Sequence, residues 1–135
     1  MATTYGKLGV EGTANTVVEK ANTAKTMKSG SLDVFSTPSM VALMEEAACN
    51  ALRVPDGFSS VGIAMSIKHL AATSLGRSVK AIARIIKVEE NIVEFSVVAK
   101  DSTGTVIGEG THRRAVVGVQ KFMEKAIAKA EIGSL

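Results

Sequence analysis

Between about Pro38 and Arg53 the apolar residues Met40, Val41, Leu43, Met44, Ala47, Ala48, Ala51 and Leu52 recur at helical spacing and build one broad face. Ser36 and Thr37 suit the capping position, Pro38 suits the first helical turn, and Pro55 with Gly57 follows the end. From Val61 to Leu70 the period changes to two. Ile63, Met65, Ile67 and His69 share one face and Ala64, Ser66, Lys68 and Leu70 the other, which predicts a strand. Three more β-rich runs follow, Ser78 to Val88, Ile92 to Lys100 and Thr105 to Val117. Glu89-Glu90-Asn91 and Asp101-Ser102-Thr103-Gly104 separate them, short polar breaks that suit antiparallel hairpins. A second helix is expected from Gly118 to about Glu131, with Val119, Phe122, Met123, Ala126, Ile127 and Ala130 on one face. Weak alternation around Val17 and Val18 adds a strand within Glu11 to Thr26.

The order strand, helix, four antiparallel strands and closing helix predicts an α+β fold in which one buried helix covers a curved sheet. One helix covers only part of such a sheet, so the expected assembly is a homodimer that hides its exposed edge. With 135 residues the chain has room for a single core, and residues 1–135 are read as one domain.

Composition narrows the partners. Aromatic residues are 4% of the chain and Trp is absent, which argues against a nucleic-acid surface where stacked rings contribute about 1 to 3 kcal/mol per base. The net charge of +3 is spread along the chain and selects no partner. One cysteine, Cys49, forms no internal disulfide and no zinc quartet, which fits a reducing compartment. Met1 to Val10 has no apolar core of the signal-peptide kind, and no run reaches the roughly 18 apolar residues of a membrane span, so a cytoplasmic protein without membrane attachment is expected.

Two residues stand out against the apolar pattern. Glu45 falls in line with Val41, Ala48 and Leu52, whereas Glu46 lines up with Ala42, Asn50 and Arg53. A carboxylate buried without partners costs several kcal/mol, so Glu45 implies a partner, a task, or a position at the margin of the face. His69 extends the row of Ile63, Met65 and Ile67, and histidine is the side chain best suited to accept and return a proton near neutral pH. Thr37 is read as a helix cap whose hydroxyl, or the free N–H groups behind it, can also meet a substrate carbonyl. Gly62 permits close approach of backbone to ligand or marks a bulge. Cys49 lies with Glu46 and Asn50, away from Glu45. With two histidines, His69 and His112, and no carboxylate at metal-helix spacing, no metal or cofactor is expected. His112, Arg113 and Arg114 follow Gly108-x-Gly110 on one strand, where they can meet phosphates or acyl-group charge but more simply form a solvated strand end. Lys121, Lys125 and Lys129 form an exposed row on the last helix.

Thr37-Pro38-Ser39-Met40-Val41-Ala42-Leu43-Met44-Glu45, Gly62, His69-Leu70-Ala71-Ala72-Thr73 and Gly110-Thr111-His112-Arg113 together resemble the fluoroacetyl-CoA thioesterase-like branch of the hotdog-fold thioesterases. The resemblance implies a hotdog dimer, in which a curved antiparallel sheet wraps one long helix, and hydrolysis of an acyl-CoA thioester. It carries the catalytic roles onto Thr37, Glu45 and His69, and substrate contacts onto Gly62 and Arg113. That branch also has an aromatic gate ahead of the Thr. Ser31 to Ser36 offers one aromatic, Phe35, so an acyl-CoA of general short-chain or unspecified acyl group is the expected substrate. A noncatalytic acyl-CoA-binding module and a hotdog hydratase or dehydratase are the alternatives. Thr37 and Glu45 lie eight residues apart, about 12 Å along a helix axis, so a site using both either spans that distance with the substrate or, the preferred expectation, takes Thr37 from one subunit and Glu45 with His69 from its partner.

Overall fold

A computed structural model describes residues 5–134. In chain order the elements are β1 (Glu11–Val17), a 3-10 turn (Lys20–Asn22), α1 (Ala24–Met27), α2 (Thr37–Ala51), β2 (Phe58–His69), β3 (Ser78–Glu89), β4 (Ile92–Asp101), β5 (Val106–Gly118) and α3 (Val119–Ser134). The strands form one antiparallel sheet in the order β1-β3-β4-β5-β2, curled around α2, as expected of the hotdog fold.

Helix α2 starts where its capping chemistry places it. Ser36 is the N-cap: its Oγ accepts from the Ser39 N–H at 3.1 Å and its carbonyl accepts from Met40 N–H at 3.0 Å. Thr37, relieved of capping, becomes the first helical residue, and its hydroxyl is left to bond outside the helix. Met40, Leu43, Met44, Ala47, Ala48 and Ala51 are buried against the sheet, the larger of them each contributing about 1.5 to 3 kcal/mol by burial. The small residues on this face let β1 come close. A β-carbon at Gly12 would collide with the backbone at Ala47 and Ala51, so only glycine fits there.

The strand expected within Glu11 to Thr26 ends at Val17. Local hydrogen bonds then take over from the sheet ladder: Glu19 N–H donates to Asn22 Oδ1 at 2.9 Å, and Thr26 N–H donates to Thr23 Oγ1 at 3.3 Å. Between α1 and α2, Phe35 is fully buried in the core, and its N–H donates to the Thr73 carbonyl at 2.9 Å.

Two bulges decide which side chains of the site strands face the helix. In β2, Gly62 pairs with Arg114 and Ala64 with Arg113, leaving Ile63 as an extra residue that is half exposed. Ile63 therefore leaves the row expected for it, and Ser60 and Gly62 join Met65, Ile67 and His69 on the inner side. In β5, Ala99 of β4 pairs with Gly108 and Lys100 with Val106, which makes Ile107 the extra residue. Beyond it Gly108, Gly110, His112, Arg114 and Val116 face inward.

Helix α3 leaves the sheet directly from β5. Its apolar stripe stays open to solvent: Val119, Phe122, Met123 and Ile127 are all exposed. Among the described residues no helix is long and apolar enough to cross a membrane.

Candidate active site

Thr37, His69, Glu45 and Gly62 fall into two clusters, one at the N-terminus of α2 and one near its middle. At its N-terminus, Thr37 Oγ1 lies 2.7 Å from His69 Nδ1, the contact joining the first turn of the helix to the last residue of β2. The other ring nitrogen, Nε2, is buried without a well-formed hydrogen bond. Burial pushes the His69 imidazole below its ordinary value, and the Ala71 backbone opposes this to a smaller extent. A neutral ring whose Nδ1 accepts the Thr37 hydroxyl proton carries its own hydrogen on Nε2, toward that backbone. The pair opens on a cleft of about 360 Å³ walled by Val34, Phe35, Leu70, Ala71 and Ala72. A larger depression of about 540 Å³ lies over Ser66, Lys68, Ser96, Glu109 and Thr111 and holds none of these residues.

Two turns further along α2, Glu45 meets Gly62 and Arg114. Arg114 Nη1 donates to Glu45 Oε2 at 3.3 Å, and the arginine side chain is 8% exposed against 39% for the glutamate. Glu45 thus stands at the margin of the apolar face with a cationic partner behind it. The partner is itself held: Arg114 Nε donates to Ser60 Oγ at 2.9 Å and Nη2 to the Ser60 carbonyl at 3.1 Å. Its Nη1 also lies 3.2 Å from His112 Nε2. A β-carbon at Gly62 would stand 2.6 Å from Glu45 Oε2, so the bulged strand brings bare backbone up to the carboxylate.

Three expectations change. Glu45 and His69 do not share a site within one chain: β2 passes α2 so that Gly62 lies at Glu45 and His69 at Thr37, and His69 therefore goes with Thr37. Arg113 points to the outer face, with Nε 3.8 Å from Glu94 Oε1 and half its side chain exposed, because the bulge at Ile107 turns the even-numbered residues inward. Arg114, the next residue, is the one that faces inward. His112 and Arg114 are buried, not a solvated strand end. Their signal in the sequence was the two-residue spacing that puts both on one strand face.

Comparison with known proteins agrees with this fold. The profile of the family described as fluoroacetyl-CoA-specific thioesterase, FlK, matches residues 18–120. A fluoroacetyl-CoA thioesterase of Streptantibioticus cattleyicolor is 38% identical over 103 residues, spanning 75% of this chain and 73% of that protein. A solved structure of the fluoroacetyl-CoA thioesterase FlK superposes with a TM-score of 0.85 at 33% identity, covering 91% of this chain and 96% of that one. A mutant FlK in complex with fluoroacetate and CoA superposes with a TM-score of 0.80 at 33% identity, covering 86% and 98%. With a thioester hydrolase's relatives, a curled sheet around one helix, and Thr37 bonded to His69 at the helix start, the chain belongs to the fluoroacetyl-CoA-specific thioesterase family of hotdog-fold enzymes.

Proposed function

We propose that the protein hydrolyses a short-chain acyl-CoA to the free acid and CoA, as a cytoplasmic homodimer whose sites combine Thr37 and His69 of one subunit with Glu45, Gly62 and Arg114 of the other. The observation that carries this reading is the 2.7 Å contact between Thr37 Oγ1 and His69 Nδ1 at the mouth of the cleft, within the range of a nucleophile and its base. The CoA bound to a mutant FlK favours an acyl-CoA as substrate. Two features favour the shared site. Strand β2 is a sheet edge with an open ladder, and the Glu45 cluster lies too far along α2 to serve Thr37 of its own chain.

The chemistry follows from the groups. The thioester carbonyl lies at the N-terminus of α2, where the helix dipole favours the developing oxyanion. Thr37 Oγ1 attacks the carbonyl carbon while neutral His69 takes its proton at Nδ1. The C–S bond breaks, the imidazolium returns the proton to the departing CoA thiolate, and an acyl ester remains on Thr37. Glu45 of the partner subunit then takes a proton from water as its oxygen attacks the ester carbonyl; the acyl C–Oγ1 bond breaks, and the proton held on Glu45 passes to the departing Thr37 alkoxide, which restores both residues and releases the acid. Gly62 and Arg114 line the acyl end, with Arg114 orienting the carboxylate.

Release of free thiol from a panel of acyl-CoAs tests the activity. Bound acyl-CoA without thiol release identifies a binding module, and hydration of an enoyl-CoA without thiol release identifies a hydratase. Rapid quenching of a single turnover should yield a peptide acylated at Thr37. Acyl label on Glu45 instead would overturn the assigned nucleophile.

A further inference from the structure

The buried imidazole of His112 lies outside the chemistry above, and its hydrogen bonds define it closely. Arg114 Nη1 can only donate, so His112 Nε2, 3.2 Å away, must present a lone pair. The ring's hydrogen is then on Nδ1, which donates to the Ala64 carbonyl at 2.8 Å. Ala64 follows the bulged residue Ile63, where disruption of the ladder leaves a carbonyl available to a side chain. Phe95, directly opposite in the β4–β5 register, stacks on the imidazole with centroids 5.9 Å apart and planes inclined by 27°. The ring is thus fixed at both nitrogens and on one face.

From this arrangement we infer that His112 is a positioning residue: as a neutral Nδ1–H tautomer it holds one N–H of Arg114 Nη1, so that the other N–H of the same nitrogen is aimed at Glu45. Nη1 carries two hydrogens, and the two acceptors within reach are His112 Nε2 and Glu45 Oε2. Ser60 holds the opposite edge of the planar guanidinium through Nε and Nη2, so Nη1 can shift only by a tilt of the plane about that edge. Without His112 the Nη1 end loses its second anchor, and the carboxylate it directs loses its bearing on the substrate. The effect on turnover rests on Glu45 serving as the base proposed above, whereas the tautomer and the fixing of Arg114 do not.

The test pairs two substitutions. His112→Phe keeps ring volume and the stack on Phe95 and removes the acceptor; His112→Gln supplies an amide oxygen near the lost nitrogen. Expected for His112→Phe is a fall in kcat of about tenfold or more with KM altered by less than about threefold, the pattern of a lost transition-state interaction. His112→Gln should recover most of that loss. In an Arg114→Gln background His112→Phe should have no further effect, because the residue acts through the arginine. Full additivity in that background, or equal losses for the Phe and Gln variants, would overturn the assignment. Nitrogen NMR of the unaltered protein should show His112 as the Nδ1–H tautomer with a slowly exchanging Arg114 Nε–H. An Nε2–H tautomer or an imidazolium at neutral pH overturns the proposal whether or not any thioester is turned over, so its failure is distinct from failure of the thioesterase reading.

Discussion

Gly62 faces the carboxylate of Glu45 across a gap that admits hydrogen alone, since a β-carbon there would stand 2.6 Å from Oε2. The atom that must yield is the end of a flexible side chain, so Gly62→Ala should fold normally, with a melting temperature within about 2 °C of the parent. The carboxylate, however, would leave its place beside Arg114. A displacement of this size should lower kcat by about tenfold to a hundredfold. Steady-state kinetics with thermal denaturation checks both; a large loss of stability with unaltered activity per folded molecule would contradict the geometry.

Neighbouring glutamates on α2 should behave differently. Glu45→Gln keeps an oxygen for Arg114 to bond, avoiding an orphaned buried cation, but removes the base and should lower kcat by about a hundredfold or more. Exposed Glu46, turned away from the cluster, should tolerate the same change with little effect. Equal losses at the two positions would remove the case for Glu45.

The acid limb of kcat/KM should reflect His69. The ring must be neutral to take the Thr37 proton, and burial lowers its pKa, so activity should rise with pH through a group titrating below the ordinary histidine value of about 6.5. That limb should vanish from the residual activity of His69→Ala. His112 is lowered as well, first by burial and also by Arg114, while the Ala64 carbonyl and Glu45 oppose the shift. In both residues the unfolded chain takes up the proton first. Native stability should therefore be full above pH about 6.5 and decline as the pH falls below it, levelling once the folded-state pKa values are passed. Urea titrations at several pH values read this directly, and stability that increased on acidification through that window would contradict the shifts.

Mixing experiments should separate the two clusters. Refolding Thr37→Ala with Glu45→Ala chains at equal ratio gives half heterodimers, each with one intact shared site, or about a quarter of full activity. His69→Ala should complement Glu45→Ala equally well. Thr37→Ala with His69→Ala should recover nothing, because both residues come from the same chain. Recovery from that last pair, or none from the first two with heterodimers confirmed by mass, would break the shared-site arrangement.

The central helix and the hairpins were legible because period, caps and polar breaks agree along the chain. Helix α2 was expected from Pro38 to Arg53 and runs Thr37–Ala51. What escaped was parity. Ile63 and Ile107 look like ordinary inward residues of alternating strands, yet each is the extra residue of a bulge, and each reverses the faces of what lies beyond it. The family resemblance pointed to Arg113, which strict alternation from Ile107 would also turn inward; the bulge turns Arg114 inward instead. Ile63 was likewise expected beside His69, and its reversal brings Gly62 to Glu45 instead. The turns of residues 19–27 escaped for another reason. They rest on side-chain bonds from Asn22 and Thr23 to nearby backbone, which leave no periodic trace.

The close seating of β1 on α2 at Gly12 has a consequence for reading mutants. The helix backbone at Ala47, Asn50 and Ala51 abuts that glycine, and Thr37 and Glu45 are carried at fixed stations on the same rod. A bulkier residue at position 12 touches no group of either cluster, yet it would wedge the rod off its bed and shift both stations at once. In a screen for loss of turnover such a lesion would pass for a chemical one, although its origin is purely mechanical.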